Sequence, residues 1–466
     1  MTTSVVPDPS LFPRISTGNE QADEVLCGGF PANSINIIMG QPGTGKTIFA
    51  EQLLFENASA DRPILYVTTL SEPLSKVVSY VQRFSFFDAD KLGTEIQYED
   101  LGAELARDGP AALVPHLRET IQTISPKIIV IDSFRAIHDL SDSVPEMRRM
   151  ISNLAGLLSS YDVTAFLLGE YTTADIQRYP EFAVSDAIIE LARQPLGTRD
   201  ERFLRVIKLR GSGYREGQHA FRITGNGIDL FPRLVAPRVA PDYQVRLDRS
   251  STGVPGLDEM LEGGIWSGTT TLLVGPTGSG KTTIALHFAL EGISRGEPTL
   301  YVNFQENPAQ LARAISNFGT DVEQATRSGL ELLYVSPVEL QIDSFVVELF
   351  QRIKTGSLRR VVIDAVGDLA AAASDVPRLH DYLYSLVQHF AVCGVTSLLT
   401  FESGLSSTGG DMHEQRFSYM SDNVIQIALG GEERTRRTIR IIKTRNSGHD
   451  PVVRELVIGA TGARVS

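Results

Sequence analysis

At 466 residues the chain exceeds a single core of ordinary size and predicts two or three domains, with 42% hydrophobic and 21% charged residues to fill and coat them. A formal net charge of −13 argues against tight generic binding to nucleic acid, and two cysteines, Cys27 and Cys393, are too few for a disulfide framework and point to a reducing cytoplasm. No apolar run approaches the length needed to span a bilayer, and MTTSVVPDPS at the start lacks the basic and apolar regions of a signal peptide, so neither membrane partner nor secretion is expected.

Residues 1–13 carry three prolines and read as an arm. From 14 to 233 short apolar strands (34–39, 63–69, 127–132, 163–168) alternate with amphipathic helices, the pattern of a mostly parallel sheet covered on both faces. The first strand runs into GQPGTGKTI at 40–48, a G-x-x-x-x-G-K-[ST] loop that opens a helix. Glycines there let backbone N–H groups curl around a phosphate, and the helix N-terminus adds positive charge. Lys46 is expected to reach the β- and γ-phosphates and Thr47 to ligate Mg²⁺. IIVID at 128–132 ends in Asp132, a second Mg²⁺ candidate. Towards the end, FLRVIKLRG (203–211) and HAFRITGNGIDLF (219–231) read as short strands joined by tight turns, an antiparallel extension. Lys208 and Arg210 alternate at a strand end there and face one way, so they could grip a γ-phosphate across a subunit boundary, or merely charge a strand edge.

PRLVAPRVAP (232–241) breaks the pattern and predicts a linker over 234–245. The same sequence then begins again over 246–466. GPTGSGKTT at 275–283 supplies Lys281 and Thr282, and VVID at 361–364 supplies Asp364. Thr17, Gly18, Asp23, Glu24, Leu26, Gly28 and Gly29 recur as Thr252, Gly253, Asp258, Glu259, Leu261, Gly263 and Gly264, and Lys208, Arg210, Ser212 and Gly213 as Lys443, Arg445, Ser447 and Gly448. All share the interval of 235 residues from Lys46 to Lys281. The chain is a tandem duplication.

The halves diverge where an ATPase needs a carboxylate to orient or deprotonate water. The second reads LYVNFQENP (300–308), the first LYVTTLSEP (65–73). Glu306 is the candidate base of the second half, with Gln305 able to position water but not to take its proton. In the first half Leu70 and Ser71 stand at those places, and only Glu72, one residue on, could serve. Hydrolysis is therefore expected to be slow, above all in the first half.

STG-x5-DE-x-L-x-GG before each loop, the tandem RecA-like layout and K-x-R-x-S-G near each domain end resemble the KaiC family of clock ATPases and autokinases. The resemblance covers nearly the whole chain. It implies α/β tandem RecA-like P-loop domains, a homohexamer in two rings with ATP and Mg²⁺ at subunit interfaces, and serine/threonine autophosphorylation serving a timing or signalling switch. The family's nucleotide contacts fall on Gly43, Thr44, Gly45, Lys46, Thr47, Ile48, Lys208, Leu209, Arg210, Ser212, Tyr214 and Thr224. In the second half they fall on Thr277, Gly278, Ser279, Gly280, Lys281, Thr282, Thr283, Arg437, Lys443, Thr444, Arg445, Ser447 and His449, with Phe318 in the place of an aromatic that stacks on adenine. The paired catalytic glutamates are replaced as described, and the adjacent Ser-Thr phosphoacceptors align with Ser418 and Tyr419. The chain ends at Ser466 without the family's long tail, so a KaiB-like or other signalling partner is compatible with the resemblance and KaiA control is not expected. Two other readings keep the fold: a nucleotide-gated scaffold with little catalysis, and a DNA-dependent ATPase, against which the acidic balance speaks.

Overall fold

The computed structural model describes residues 13–70, 74–141, 143–196, 199–237, 246–372, 376–402, 419–430 and 436–466. Ser71, Glu72 and Ser418 lie outside these residues, as do most of the N-terminal arm and the linker from residue 238. The chain divides into two compact units at Arg233 and Leu234. Leu234, assigned to the linker by composition, already packs against the second unit's core. No helix among the described residues is long and apolar enough to cross a membrane.

In the first unit β1 (Arg14–Ile15) pairs with β2 (Phe30–Pro31), and the main sheet contains β3 (Ile35–Met39), β4 (Ile64–Thr68), β5 (Ile96–Asp100), β6 (Ile128–Asp132), β7 (Thr164–Gly169), β8 (Ala187–Leu196), β9 (Arg199–Leu209), β10 (Gln218–Thr224) and β11 (Gly227–Phe231). Its order is β11-β10-β9-β8-β3-β7-β6-β4-β5. The strands from β8 to β5 are mutually parallel, while β9, β10 and β11 are antiparallel. The second unit repeats this with β12 (Arg249–Ser250) on β13 (Ile265–Trp266) and a sheet of β14 (Thr270–Gly275), β15 (Thr299–Asn303), β16 (Leu330–Tyr334), β17 (Arg360–Asp364), β18 (Thr396–Glu402), β19 (Asn423–Gly430), β20 (Arg436–Thr444), β21 (Arg454–Gly459) and β22 (Gly462–Val465). The order β16-β15-β17-β18-β14-β19-β20-β21-β22 matches the first strand for strand.

The central strands are buried along their whole length because alternate side chains feed cores on opposite faces. Ile64, Tyr66, Ile128 and Val130 join one cluster, and Leu65, Val67, Ile129 and Ile131 the other. The repeated Thr-Gly…Asp signature is a local lock. Thr17 donates to Asp23 through its backbone N–H and its hydroxyl, both at 2.8 Å, and Thr252 does the same to Asp258 at 2.7 Å.

Each P-loop helix is tied to its unit by buried polar contacts, and the ties differ. In the first unit Asn57, on the helix Lys46–Asn57, donates to the carbonyls of Ser16 (2.8 Å) and Leu53 (2.7 Å). One repeat later that position is Gly292, and a Cβ there would come within 2.6 Å of the Arg360 side chain. Arg360, fully buried on β17, fills the space and donates to the equivalent carbonyls, Ser251 at 2.8 Å and Phe288 at 2.9 Å. Its Nε donates to Glu297 at 2.5 Å, and its guanidinium lies over the Phe288 ring. On the other face of this asymmetry, Glu51 of the first helix is fully buried, accepts from Tyr98 on β5 at 2.8 Å, and is pushed up to about 8 by burial.

Arg360→Ile should destabilise the second unit by about 3 kcal/mol, the order for losing the charged member of a buried network. Adding Gly292→Asn should recover much of that loss by installing the first unit's solution. Trp266, the only tryptophan, reports the transition by fluorescence during denaturant unfolding. Equal instability of single and double variants would refute the equivalence. A second prediction concerns Glu51. Its folded value lies above the unfolded value near 4.5, so its stabilising proton is fully held below that pH and lost as pH rises through about 8. Glu51→Gln keeps the acceptor for Tyr98 and cannot ionise. Its thermal stability should match the parent's near pH 5 and exceed it increasingly towards about pH 9; parallel curves would show that Glu51 does not titrate there.

Candidate functional site

The chain leaves β3 at Met39 and turns through residues 40–45 into the helix Lys46–Asn57. Three glycines, Gly40, Gly43 and Gly45, make the turn with positive φ. Gly45 caps the helix at φ +103, a left-handed conformation costly for residues with a Cβ. Gly40, at φ +156, lies so close to the Leu191 carbonyl that a Cβ would stand 2.1 Å from its oxygen. No side chain caps this helix, so its first N–H groups stay open towards the loop. Gly280 caps the helix Lys281–Ser294 in the same way at φ +102.

Both loop lysines fold back over their own loops. Lys46 Nζ donates to the Gly40 and Gln41 carbonyls at 3.0 Å each, and Lys281 Nζ to Gly275 and Pro276 at 2.9 and 3.0 Å. Burial lowers both below the ordinary lysine value, opposed by Glu170 and Asp132 around Lys46 and by Glu402 and Asp364 around Lys281. Next in each loop, Thr47 Oγ1 donates to Asp132 Oδ2 at 2.8 Å, and Thr282 Oγ1 to Asp364 Oδ2 at 2.8 Å. The same oxygens accept from Tyr66 and Tyr301, again at 2.8 Å, and Thr400 adds a bond to Asp364 Oδ1. Of the other loop residues, Thr44 bonds the Gln41 carbonyl at 2.8 Å, Thr277 donates to Glu402, and the Ser279 hydroxyl is buried without a partner among the described residues.

In the first unit the loop opens on a cavity of about 620 Å³. Gly43, Gly45, Lys46, Thr47, Ile48, Asp132 and Glu170 line one side, and Val77, Tyr80, Arg83 and Phe84 the other. Arg83 stands one repeat before Phe318, which packs edge-on against His287 with ring centroids 4.7 Å apart and sits beside Gly462. Among the described residues no three histidine, cysteine or carboxylate side chains converge as a metal cage.

At the position expected to activate water the units differ. Leu70 is 45% exposed in the first. In the second, Asn303 Oδ1 accepts from the N–H groups of Gln305 (2.9 Å) and Glu306 (3.1 Å) and fixes the turn. Glu306 Oε2 is buried without a partner among the described residues, and burial, with Asp364 nearby, raises its carboxyl above the usual range. Gln305 Nε2 points instead at Asp368, 3.1 and 3.3 Å from its two oxygens.

The cation pairs do not line the first cavity. Lys208 Nζ donates to the Ser185 and Phe182 carbonyls, and Arg210 meets Asp186 at 3.4 Å. Lys443 donates to the Ser421 carbonyl and Arg445 to that of Tyr419, each at 2.7 Å. β9 and β20 are interior strands, but β10 pairs only with Arg202–Arg205 and β21 only with Thr438 and Ile439, so the ends that carry Lys208 and Lys443 keep one side without a partner strand among the described residues. Tyr419 is 76% exposed. Arg437 does reach its own loop, at the Gly278 carbonyl (3.3 Å). Thr444 bonds the Ser447 carbonyl and His449 Nδ1, Ser447 accepts from Arg249, Ser212 bonds the Gly213 carbonyl, and Thr224 bonds Asp229. Leu209 is buried and Tyr214 packs against the first core, so both shape the fold locally.

Three groups escaped sequence reasoning. Tyr66 and Tyr301 were visible only as members of the repeat. Glu170 and Glu402 are equivalent by strand register, since Met39 pairs with Gly169 and Gly275 with Glu402. Their spacing departs from the 235-residue interval, so the repeat did not align them. Asp368 has no counterpart in the first half, where the residue four past Asp132 is Ala136.

Comparison with known proteins follows the same lines. A family model described as the KaiC ATPase matches residues 15–235 and again residues 250–466. The circadian clock oscillator protein KaiC of Picosynechococcus sp. is 29% identical over 469 residues, covering 97% of this chain and 89% of its own length. That of Rippkaea orientalis is 28% identical (97% and 88%), and KaiC 1 of Synechocystis sp. is 27% identical (96% and 88%). With both halves matched over almost their full length, and each built on the same loop, strand-end aspartate and strand order, the chain belongs to the KaiC family of ATPases.

Proposed function

We propose that each half binds one Mg-ATP and that the chain hydrolyses it slowly within a nucleotide-dependent homohexamer, the second half also phosphorylating its own chain. One observation carries the binding part: in both halves a threonine hydroxyl lies 2.8 Å from a strand-end aspartate beneath a lysine held over its own loop. Thr47 with Asp132, and Thr282 with Asp364, offer hard oxygen donors that suit a magnesium keeping water and phosphate as its other ligands. When bound, the ion neutralises charge between the β- and γ-phosphates. Lys46 and Lys281 exchange carbonyl partners for phosphate oxygens, and the open helix N-termini receive the rest of the phosphate chain. In the first half Val77, Tyr80 and Phe84 offer the apolar wall that a base requires.

In the second half burial, with Asp364 nearby, raises the affinity of Glu306 for a proton, which suits it to take the proton of the acceptor hydroxyl in phosphoryl transfer. Lys443 and Arg445 hold the carbonyls of Ser421 and Tyr419, so they brace the segment that follows Ser418. That placement supports Ser418 or Tyr419 as phosphate acceptor opposite a neighbouring subunit's ATP; membership of a family with circadian clock relatives is what suggests a KaiB-like protein or other signalling partner as the reader of the switch. Leu70 favours a second reading for the first half alone, a nucleotide-gated scaffold, because an exposed leucine can neither orient nor deprotonate water.

The purified chain should bind two nucleotides with Mg²⁺ by calorimetry, and Lys46→Ala or Lys281→Ala should each lower the count to one. Turnover should fall far more with Lys281→Ala than with Lys46→Ala. One nucleotide per unmodified chain would remove the tandem-site reading. For the kinase reading, mass spectrometry after incubation with Mg-ATP should place phosphate on Ser418 in preference to Tyr419, and Ser418→Ala and Lys281→Ala should both abolish it. An unmodified segment with ATP bound at the second site would leave an ATPase or scaffold.

A further inference from the structure

We propose that in the second half Asp368 is the carboxylate that accepts the proton from attacking water, with Gln305 as its positioning residue. This rests on the ATP-hydrolysis reading above. Gln305 follows the end of β15, and Asp368 lies four residues past Asp364 at the end of β17, the adjacent parallel strand. Register pairs Asn303 with Asp364, which brings the two residues to the same rim of the sheet. The Gln305 amide donates to the Asp368 carboxylate at 3.1 and 3.3 Å. An amide that donates to both oxygens of one carboxyl group favours its ionised, accepting form and fixes its plane.

Asp368 lies within electrostatic reach of two acids of the loop site. Glu402, which accepts from Thr277 of the P-loop, acts on Asp368 together with Asp364. Burial, reinforced by these two carboxylates, lifts Asp368 above the ordinary aspartate value against the pull of the Gln305 amide, making it a better proton acceptor. Glu306 is held differently: its backbone is clamped by Asn303 and its buried Oε2 carries no partner among the described residues.

The first half supplies an internal control. The residue two past the end of β4 is Leu70, equivalent to Gln305, and the residue four past Asp132 is Ala136, equivalent to Asp368. Amide and carboxylate are present together or absent together. A purely helical role for Asp368, as a first-turn acid of the helix Val366–Ala372, does not explain this, because the helix Phe134–His138 forms with Ala136 in its place.

In the step itself a water O–H bond breaks and its proton passes to an Asp368 carboxylate oxygen. The water oxygen bonds to the γ-phosphorus as the bond from that phosphorus to the bridging oxygen breaks, ADP leaves with that electron pair, and Asp368 releases its proton to solvent.

The test uses the full chain and its Asp368→Asn, Gln305→Glu and Gln305→Glu/Asp368→Asn variants, with turnover read above the Lys281→Ala baseline. Affinity for Mg²⁺ with a non-hydrolysable ATP analogue is measured in parallel by calorimetry. Asp368→Asn should lower turnover at least about tenfold while analogue affinity stays within about twofold. The double variant, which places a carboxylate at position 305, should regain most of the lost rate. Turnover of Asp368→Asn within about twofold of the parent would overturn the inference and leave the hydrolysis reading intact. So would a double variant as slow as the single one, since that assigns Asp368 a structural role. A parent that binds the analogue in both sites yet never turns over ATP would overturn the hydrolysis reading and this inference with it.

Discussion

One carboxylate per half, Asp132 or Asp364, holds the site to the sheet. Each ends a strand that is separated from the P-loop strand by a single neighbour: β7 lies between β3 and β6, and β18 between β14 and β17. The hydrogen bond from Thr47 or Thr282 therefore spans the crevice above the intervening strand, and the buried tyrosine beneath fixes the oxygen that receives it. Ligands of open parallel sheets settle at the carboxyl ends of strands, where connections diverge to opposite sides. That strand order also decides what else can enter. Glu170 directly follows the intervening strand in the first half and Glu402 ends it in the second, so an acid acts on the loop lysine in each half.

Around this fixed centre the two halves reach the same geometry with different residues. Asn57 in one and Arg360 with Gly292 in the other hold equivalent carbonyls. Gln52 donates to the Gly18 carbonyl at 2.8 Å and accepts from the Ile228 N–H at 2.8 Å. One repeat later His287 bonds the Gly253 backbone and accepts from the Ala463 N–H at 2.7 Å. The acceptor role at Nε2 requires the neutral ring, and burial favours it by lowering His287. Glu51 and Tyr98 have leucines as their equivalents, Leu286 by the repeat interval and Leu332 by strand register. What persists is the position of the backbone groups, because a buried carbonyl or N–H left unpaired costs about 1–3 kcal/mol whichever side chain is present.

Much of the fold was legible in the sequence because its signals are local. Glycine positions, apolar runs and strand-end acids each lie within one contiguous stretch, and duplication doubled every one of them. The four parallel strands predicted for the first half and the antiparallel hairpin at its end stand where periodicity placed them. The rest depended on pairing between distant strands. Gln305 and Asp368 are 63 residues apart and meet only through the β15–β17 register. Arg360 looked like an ordinary charge before a strand, yet Gly292 on a helix far away leaves the space that buries it. Lys208 and Arg210 both turn towards the carbonyls and acid of residues 182–186, at the end of the short helix Glu181–Val184.

The pattern of divergence follows from burial. The cradle is enclosed: a Cβ on Gly40 or Gly275 would collide with backbone, Lys46 is bound to its own loop's carbonyls, and Thr47 is bound to Asp132. The rim proposed to activate water is open. Leu70 and Gln305 both face solvent, where exchanging one side chain for another costs the fold little. Binding geometry is thus coupled to stability and chemistry is not. A duplicated chain under such constraints keeps two cradles and lets its two catalytic rims drift apart, so a half carrying leucine can remain a well-formed binding domain beside a half that gathers Gln305, Glu306 and Asp368.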